Sequence, residues 1–264
     1  MSGATSPQVD AGRFAVASST ARFATTLVAE RVHKRGVRAD SSSVPLTDYD
    51  PYSPESLTDP YPAYARLLRD GPVHYSRRRN VWVISGYEAV RAALRADEVL
   101  SSAERVNLFR IPIPMMLTLD RHPDQYDLVR QRPELIGAAI EEQLRFEAPI
   151  QGFHRTALRD YEYEGHLIPQ DARVLILYPS ANRDPAHYPN PDEFQIERGS
   201  PDHLSFGSGI HFCLGAYLSR LEARAALTRL VAQVSRIELA GTPVWTRNPS
   251  LRGLTHLPVN LISA

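Results

Sequence analysis

Residues 206–215, FGSGIHFCLG, hold the only cysteine of the chain together with three glycines, and a long run of helical periodicity follows them. The spacing of apolar residues after the cysteine predicts a long helix whose N-terminus lies at or just beyond it. We expect one apolar stripe along this helix, formed by Leu214, Leu218, Leu221 and Ala225. A glycine-rich turn fixed to the start of a long helix leaves few arrangements open for this part of the chain.

The cysteine has the surroundings of a ligand. A thiol just ahead of a helix feels the helix dipole and unpaired N–H groups, which favour the thiolate. Gly207, Gly209 and Gly215 remove side chains where the backbone must turn tightly against something large, and Phe206 and Phe212 offer apolar cover. These features predict a broad, flat partner.

Other roles for a single thiol remain possible at this point. A zinc site takes three or four Cys and His ligands, and an iron–sulfur cluster usually takes several cysteines. Haem iron takes one strong protein ligand, because the porphyrin supplies four nitrogens. A nucleophilic cysteine would use a base such as His211, which leaves the glycines and phenylalanines without a role. A lone cysteine is also a common small core residue. We favour the ligand.

Composition excludes several classes of function. With 30 Lys and Arg against 30 Asp and Glu, the formal net charge is zero, which gives no general attraction to nucleic acid or anionic lipid. No apolar run approaches the roughly 20 residues that span a bilayer. One cysteine cannot form an internal disulfide, so the cytoplasm is the expected location.

The beginning of the chain differs from the rest. Residues 1–44 are rich in Ser, Ala and Thr, and we expect a mobile tail there. The Arg-rich, acid-poor character of this tail resembles a transit peptide, although residues 14–35 fit a solvated amphipathic helix equally. Residues 45–264 are expected to form one domain, with an N-terminal helix and sheet part to residue 120 and a C-terminal part from residue 121.

Local patterns predict several elements of this domain. A helix is expected at about 60–70, stopped by Gly71, followed by a strand at 81–85 and a helix over 86–96. Pro133 suits the first turn of a further helix to residue 146, whose buried face would include Leu135, Ala138, Ala139 and Leu144. The alternating residues of 154–185 predict a small mixed sheet.

The cysteine loop resembles a known motif. It meets every specified position of Phe-x-x-Gly-x-His/Arg-x-Cys-x-Gly, the haem-binding loop of the cytochrome P-450 haem-thiolate monooxygenases. The resemblance, to bacterial-type members, implies that Cys213 is the proximal thiolate ligand of haem b iron and that His211 contacts a haem propionate. It also places Phe206, Gly207 and Gly215 in the cofactor-binding loop.

Further residues match the family at a distance from the loop. By the resemblance, Arg155 is the second propionate partner. Glu142 and Arg145 match the Glu-x-x-Arg helix motif, and together with Arg198 they would form a buried ion-pair network that fixes the loop beneath the haem. Taken alone, Glu142 and Arg145 are an i, i+3 helix pair of the kind that is more often solvated.

The resemblance covers residues 48–120 and 121–264, and the family's long central segment is missing between them. We therefore expect a mainly α fold with small β-sheets (α+β), a truncated P-450 fold without the central helices. The family's oxygen-activating acid and Thr/Ser pair lies in that segment. Neither ELAGTP at 238–243 nor SPESL at 53–57 reproduces its pattern, so no catalytic residue is assigned.

What the resemblance implies is a monooxygenase that inserts one oxygen atom from dioxygen into a small organic substrate. Electrons would come from NAD(P)H through a ferredoxin or flavoprotein. We expect neither a nucleic-acid partner nor a membrane span. The alternatives are a catalytically impaired haem-binding remnant and a deletion product that does not hold haem. Arg220 and Arg224 are candidates for docking an acidic ferredoxin or for an ordinary solvated face. Apolar residues near the gap would line a residual pocket, or would pack in the core or in a disordered segment: Phe109, Ile111, Ile113, Met115 and Met116.

Overall fold

The computed structural model describes residues 44–96, 99–101, 111–199 and 202–264, so Phe109 and nearly all of the expected tail lie outside the described residues. The helices are α1 (Pro54–Thr58), α2 (Tyr61–Asp70), α3 (Tyr87–Arg95), α4 (Pro112–Arg121), α5 (Pro123–Gln131), α6 (Ile136–Phe146), α7 (Tyr178–Asn182) and α8 (Ala216–Gln233). The strands are β1 (Val73–Ser76), β2 (Val81–Ile84), β3 (Leu100–Ser101), β4 (Phe153–Ala157), β5 (Tyr161–Tyr163), β6 (His166–Ile168), β7 (Arg173–Ile176), β8 (Val234–Leu239), β9 (Val244–Trp245), β10 (Leu254–His256) and β11 (Val259–Ser263).

Glycine and proline residues lie at the helix boundaries that the sequence predicts. α2 buries Tyr64 and Leu67 and ends at Gly71, whose φ of +129° is one that other residues rarely adopt. Pro133 opens a single 3-10 turn before α6 rather than α6 itself. Because proline lacks an N–H, it fits the first turn of either kind of helix.

Five strands form the main sheet, in the order β1-β2-β7-β4-β3. β2 and β7 run parallel, with Trp82 opposite Val174 and Ile84 opposite Ile176, and the other neighbours are antiparallel. β2 comes from the N-terminal part of the chain and β7 from the C-terminal part. The sheet therefore joins the two segments into one structure.

A second core lies beside the sheet, where α4, α5, α6 and α8 pack together. Val129, Ala139 and Ile140 are among its most buried residues, and Cys213 packs against its edge. Ile111 and Met115 also belong to this core, at 4% and 2% exposure, so they do not line a residual pocket. Of the predicted face of α6, Ala139 and Leu144 are buried, whereas Leu135 and Ala138 are partly buried.

The predicted apolar stripe of α8 is wrong. Leu214, Leu218 and Leu221 are exposed at 103%, 57% and 51%, and Ala225 is exposed as well. The buried face is instead formed by Ala216, Ser219, Ala223, Leu227 and Val231. Small side chains allow helices to approach closely, so the first turns of α8 contact α6 through Ala216, Ser219 and Ala223 and leave Leu218 and Leu221 outside.

Only His122 separates α4 from α5. Its backbone N–H donates to the carbonyls of Thr118 and Leu119 at 3.1 and 3.3 Å, which closes α4, and Pro123 begins α5. The chain passes directly from one helix to the next, with no central segment between them. None of the described helices combines the length and apolar character required to cross a bilayer.

Candidate functional site

The cysteine loop is closed by its own backbone. Cys213 donates its N–H to the carbonyl of Phe206 at 2.9 Å, and Phe212 donates to Gly209 at 3.0 Å. At the other side, the N–H of Ala216 donates to the carbonyl of Cys213 at 3.2 Å, where α8 begins. These bonds fix the thiol directly before the N-terminus of a long helix, as the sequence predicts.

Two of the predicted glycines are required by the backbone. Gly207 and Gly209 have φ values of +72° and +70°. A Cβ atom at Gly209 would also lie 3.0 Å from the carbonyl oxygen of Leu94, so the loop lies tightly against the end of α3. Gly215 differs, because it precedes α8 with a φ of −84° that any residue adopts.

Apolar side chains flank the thiol on two levels. Phe206 is 3% exposed and belongs to the core, so it supports the loop from within. Ile210, Phe212 and Leu214 are exposed at 74%, 54% and 103%. Further exposed leucines, Leu218 and Leu221, follow in the first two turns of α8, so the chain on both sides of the cysteine carries exposed apolar side chains. Surfaces of this kind commonly mark binding sites.

Arg155 reaches the same region from β4. It is 6% exposed, and its Nη1 donates to the carbonyl of His154 at 3.0 Å. Burial raises the pKa of Tyr178 to about 12, against the opposing effect of the neighbouring Arg155 guanidinium. The Tyr178 hydroxyl also lies 3.8 Å from where a Cβ at Gly207 would stand. Tyr178 thus connects Arg155 to the cysteine loop, and the sequence alone gives no signal for it.

The structure brings Glu142, Arg145 and Arg198 together. Arg145 is fully buried and donates to both carboxylate oxygens of Glu142, at 2.8 and 2.9 Å. Arg198 donates to Glu142 at 3.3 Å. Arg145 also donates to the carbonyls of Asn182 and Pro191, at 2.9 and 2.8 Å. The network therefore fastens α6 to the segment that leads into the cysteine loop.

A second carboxylate network was not predicted. Glu141 accepts two hydrogen bonds from Arg220, at 2.7 and 2.8 Å, and lies 3.1 Å from Nε2 of His203. Arg224 lies against α6 too, because a Cβ at Gly137 would stand 2.8 Å from its guanidinium. Arg220 is therefore tied to α6 by an ion pair while one third of its side chain stays exposed, and its role in docking a ferredoxin stays a prediction. Its pairing with a residue 79 positions away leaves no local pattern in the sequence.

The donor set decides which metal groups fit. Within the described residues, no group of three or more His, Cys, Asp or Glu side chains is placed to hold an ion. A single thiol with glycine-lined backbone and apolar flanks does not build a zinc site, which takes three or four protein ligands. The same arrangement fits a haem, whose iron would need one protein ligand because the porphyrin supplies four nitrogens.

Comparison with known proteins gives one consistent family. The sequence profile of the family described as Cytochrome P-450 matches residues 115–260. The beta-dihydromenaquinone-9 omega-hydroxylase of Mycobacterium tuberculosis is 48% identical over 145 residues, which are 55% of this chain and 30% of that protein. The 6-deoxyerythronolide B hydroxylase of Saccharopolyspora erythraea is 41% identical over 180 residues, which are 64% of this chain and 44% of that protein.

The fold agrees with these matches. The solved structure of cytochrome P-450 CYP109Q5 from Chondromyces apiculatus aligns with a TM-score of 0.75 at 19% identity, covering 82% of this chain and 98% of that one. This chain spans less than half the length of the two curated relatives. The profile match begins at Met115 inside α4, upstream of Arg121, where the sequence suggested the break. Because that match covers more than half of its residues, this chain belongs to the cytochrome P-450 family.

Proposed function

We propose that this chain binds haem b through the thiolate of Cys213, as the haem-binding part of a haem-thiolate monooxygenase. The observation that carries this proposal is the loop geometry. The only thiol of the chain stands at the start of α8, between a buried phenylalanine and an exposed apolar surface. Cytoplasmic location is part of the same proposal.

The surrounding residues have separate tasks. Cys213 binds the iron, while Arg155 and His211 meet the two haem carboxylates. Carboxylates in a poorly solvated cleft are costly unless cations accompany them. Arg155, buried beside Tyr178, is held in place for this task, whereas His211 is exposed. Glu142, Arg145 and Arg198 keep the loop in register with α6.

When bound, haem supplies the redox-active iron that activates dioxygen in this family. The proposed reaction inserts one oxygen atom into a small organic substrate, with electrons from NAD(P)H through a ferredoxin or flavoprotein. The two curated relatives are named as hydroxylases, which supports this reaction class.

One observation favours a second candidate function. The helices α4 and α5 follow each other across His122, without the segment that carries the acid and Thr/Ser pair in the family motif. A chain that positions haem without these groups is a haem-binding protein whose oxygenase activity is impaired. Both candidate functions use the same cofactor site, and they differ in whether the haem-loaded chain forms an oxygenated product.

The test is the absorption spectrum of the haem-reconstituted protein, reduced and treated with carbon monoxide. We expect the strongly red-shifted Soret band of thiolate ligation, and we expect Cys213→Ser to lose it while the helical circular dichroism is retained. Absence of haem uptake by the native chain would overturn the proposal. If the band is present, product formation with a redox partner and NAD(P)H distinguishes the monooxygenase from the impaired form.

A further inference from the structure

Arg220 lies on the second turn of α8 after the cysteine, and Glu141 fixes its direction. The two hydrogen bonds, Nε to Oε1 at 2.7 Å and Nη2 to Oε2 at 2.8 Å, form a two-point ion pair between α8 and α6. Such forked pairs define an orientation as well as a distance. The guanidinium therefore has one position relative to the loop.

The guanidinium lies against Phe206, the buried residue that supports the cysteine loop. The guanidinium carbon of Arg220 lies 4.5 Å from the centre of the Phe206 ring. Phe206 in turn accepts the N–H of Cys213 through its carbonyl, and Arg220 Nη1 donates to the carbonyl of Ala216 at 3.5 Å. Arg220 thus touches both residues that hold the backbone of Cys213.

His203 completes the network from the segment before the loop. Its side chain is 1% exposed, and its ring centre lies 5.8 Å from that of Phe206. Burial raises the pKa of Glu141, but hydrogen bonds from Arg220 and His203 outweigh this and lower it to about 2. Glu141 is therefore a carboxylate across the neutral range. The hydrogen bonds that Arg220 donates to Glu141 raise the pKa of Arg220, against the opposing effect of burial.

We infer that Glu141 and Arg220 are positioning residues for the Cys213 ligand, holding Phe206 beneath the loop and keeping the guanidinium end of their ion pair on the thiolate side of the site. This inference rests on the proposed function. The adjacent carboxylate, Glu142, holds the segment leading into the loop, so two neighbouring glutamates secure different parts of the site. A nearby cation favours the reduced, more negative state of an iron–thiolate centre.

The first test uses the haem-free protein. Amide hydrogen exchange of residues 206–216 is compared in the native chain, Glu141→Gln and Arg220→Gln, with Glu238→Gln as control, because Glu238 forms an exposed pair with Arg236. We expect exchange in the loop to accelerate about tenfold or more in the first two variants and to stay native in the control. Native exchange in both variants would overturn the inference.

The second test separates charge from packing in the haem-loaded protein. Arg220→Gln removes the charge and is expected to shift the reduction potential to more negative values. Arg220→Lys keeps the charge without the forked pair, and is expected to retain most of the native potential. A native potential in Arg220→Gln would overturn the electrostatic role. If the native chain takes up no haem, the proposed function fails, and loop exchange alone decides the positioning role.

Discussion

Arg145 and Glu142 form a two-point ion pair in which the side chains are 0% and 2% exposed. Arg145 also donates to three backbone carbonyls, from Asn182, Pro191 and Glu193. A fully buried guanidinium is stable only when its charge and its donors are satisfied. The pair therefore makes the path of the chain between α7 and the cysteine loop depend on one carboxylate.

Replacing that carboxylate tests this dependence. In Glu142→Gln the amide keeps the size of the side chain but leaves the charge of Arg145 unpaired. We expect the free energy of unfolding to fall by about 3–5 kcal/mol in urea denaturation. Glu88→Gln is the matched control, since Glu88 and Arg91 form an exposed pair with the same i, i+3 spacing. Its expected change is below about 0.5 kcal/mol, and equal losses in both variants would contradict the role of burial.

The close approach of the loop to α3 gives a second prediction. Gly209→Ala combines a positive φ with a Cβ contact to the Leu94 carbonyl, whereas Gly165→Ala has a φ of +78° and open space around the new Cβ. The backbone strain alone costs about 1–2 kcal/mol in either variant. We expect Gly209→Ala to be the more destabilised of the two in thermal unfolding. Haem uptake should fall only in Gly209→Ala, and equal uptake would exclude a requirement for this contact.

Two buried serines give a third prediction. Ser180 is 0% exposed, and its hydroxyl has no hydrogen-bond partner within the described residues. Ser205 donates to the carbonyl of Leu144 at 2.6 Å and accepts from Asn182 at 2.8 Å. Because only Ser205→Ala leaves buried partners unpaired, we expect it to lose about 1–3 kcal/mol in denaturant unfolding. Ser180→Ala should be neutral or stabilising, and a comparable loss there would reveal a partner for its hydroxyl.

His74 gives a prediction about pH. It is 1% exposed and neither ring nitrogen has a partner among the described residues. Burial lowers the pKa of His74 below 6.5, opposed by Asp70 and supported by His166. The unfolded chain therefore binds the proton first, and the stability falls as the pH drops below 6.5 towards the folded pKa.

The corresponding variant is His74→Leu, which cannot titrate. Its free energy of unfolding should decline less than that of the native chain between pH 7 and pH 5. Protonation of Glu141 also lowers the free energy of unfolding, but only as the pH falls from 4.5 towards 2, because the pKa of Glu141 is 4.5 in its ordinary state and about 2 in the folded protein. Identical pH profiles for native chain and variant would exclude His74 as the source.

Local signals in the sequence predicted local structure well. Gly71 marks the end of α2, and the glycines and phenylalanine of the cysteine motif mark the loop before α8. These features depend on the conformational range of one residue or on a few hydrogen bonds nearby. The family resemblance added Glu142 and Arg145, and also Arg198, which lies 56 positions from its partner Glu142.

The orientation of α8 could not be predicted in the same way. Both of its faces carry apolar residues, and the helical period does not say which face meets α6. The close contact favoured the small residues Ala216 and Ala223 over the larger Leu218 and Leu221. Likewise, no local pattern marks Glu141 as the partner of Arg220, and only the packing of α8 against α6 brings the two together.

The parallel pair of β2 and β7 joins a strand that precedes α3 to a strand that follows α6. The entropy lost in closing a flexible loop grows only with the logarithm of its length, by about 0.6 kcal/mol for each doubling. Pairing of these strands is therefore expected to change little in cost when the chain between them is made longer or shorter. We therefore expect the β2–β7 pairing to hold the two parts of the chain together even when helices between these strands are gained or lost. The part that carries Cys213 would then keep its position relative to the sheet.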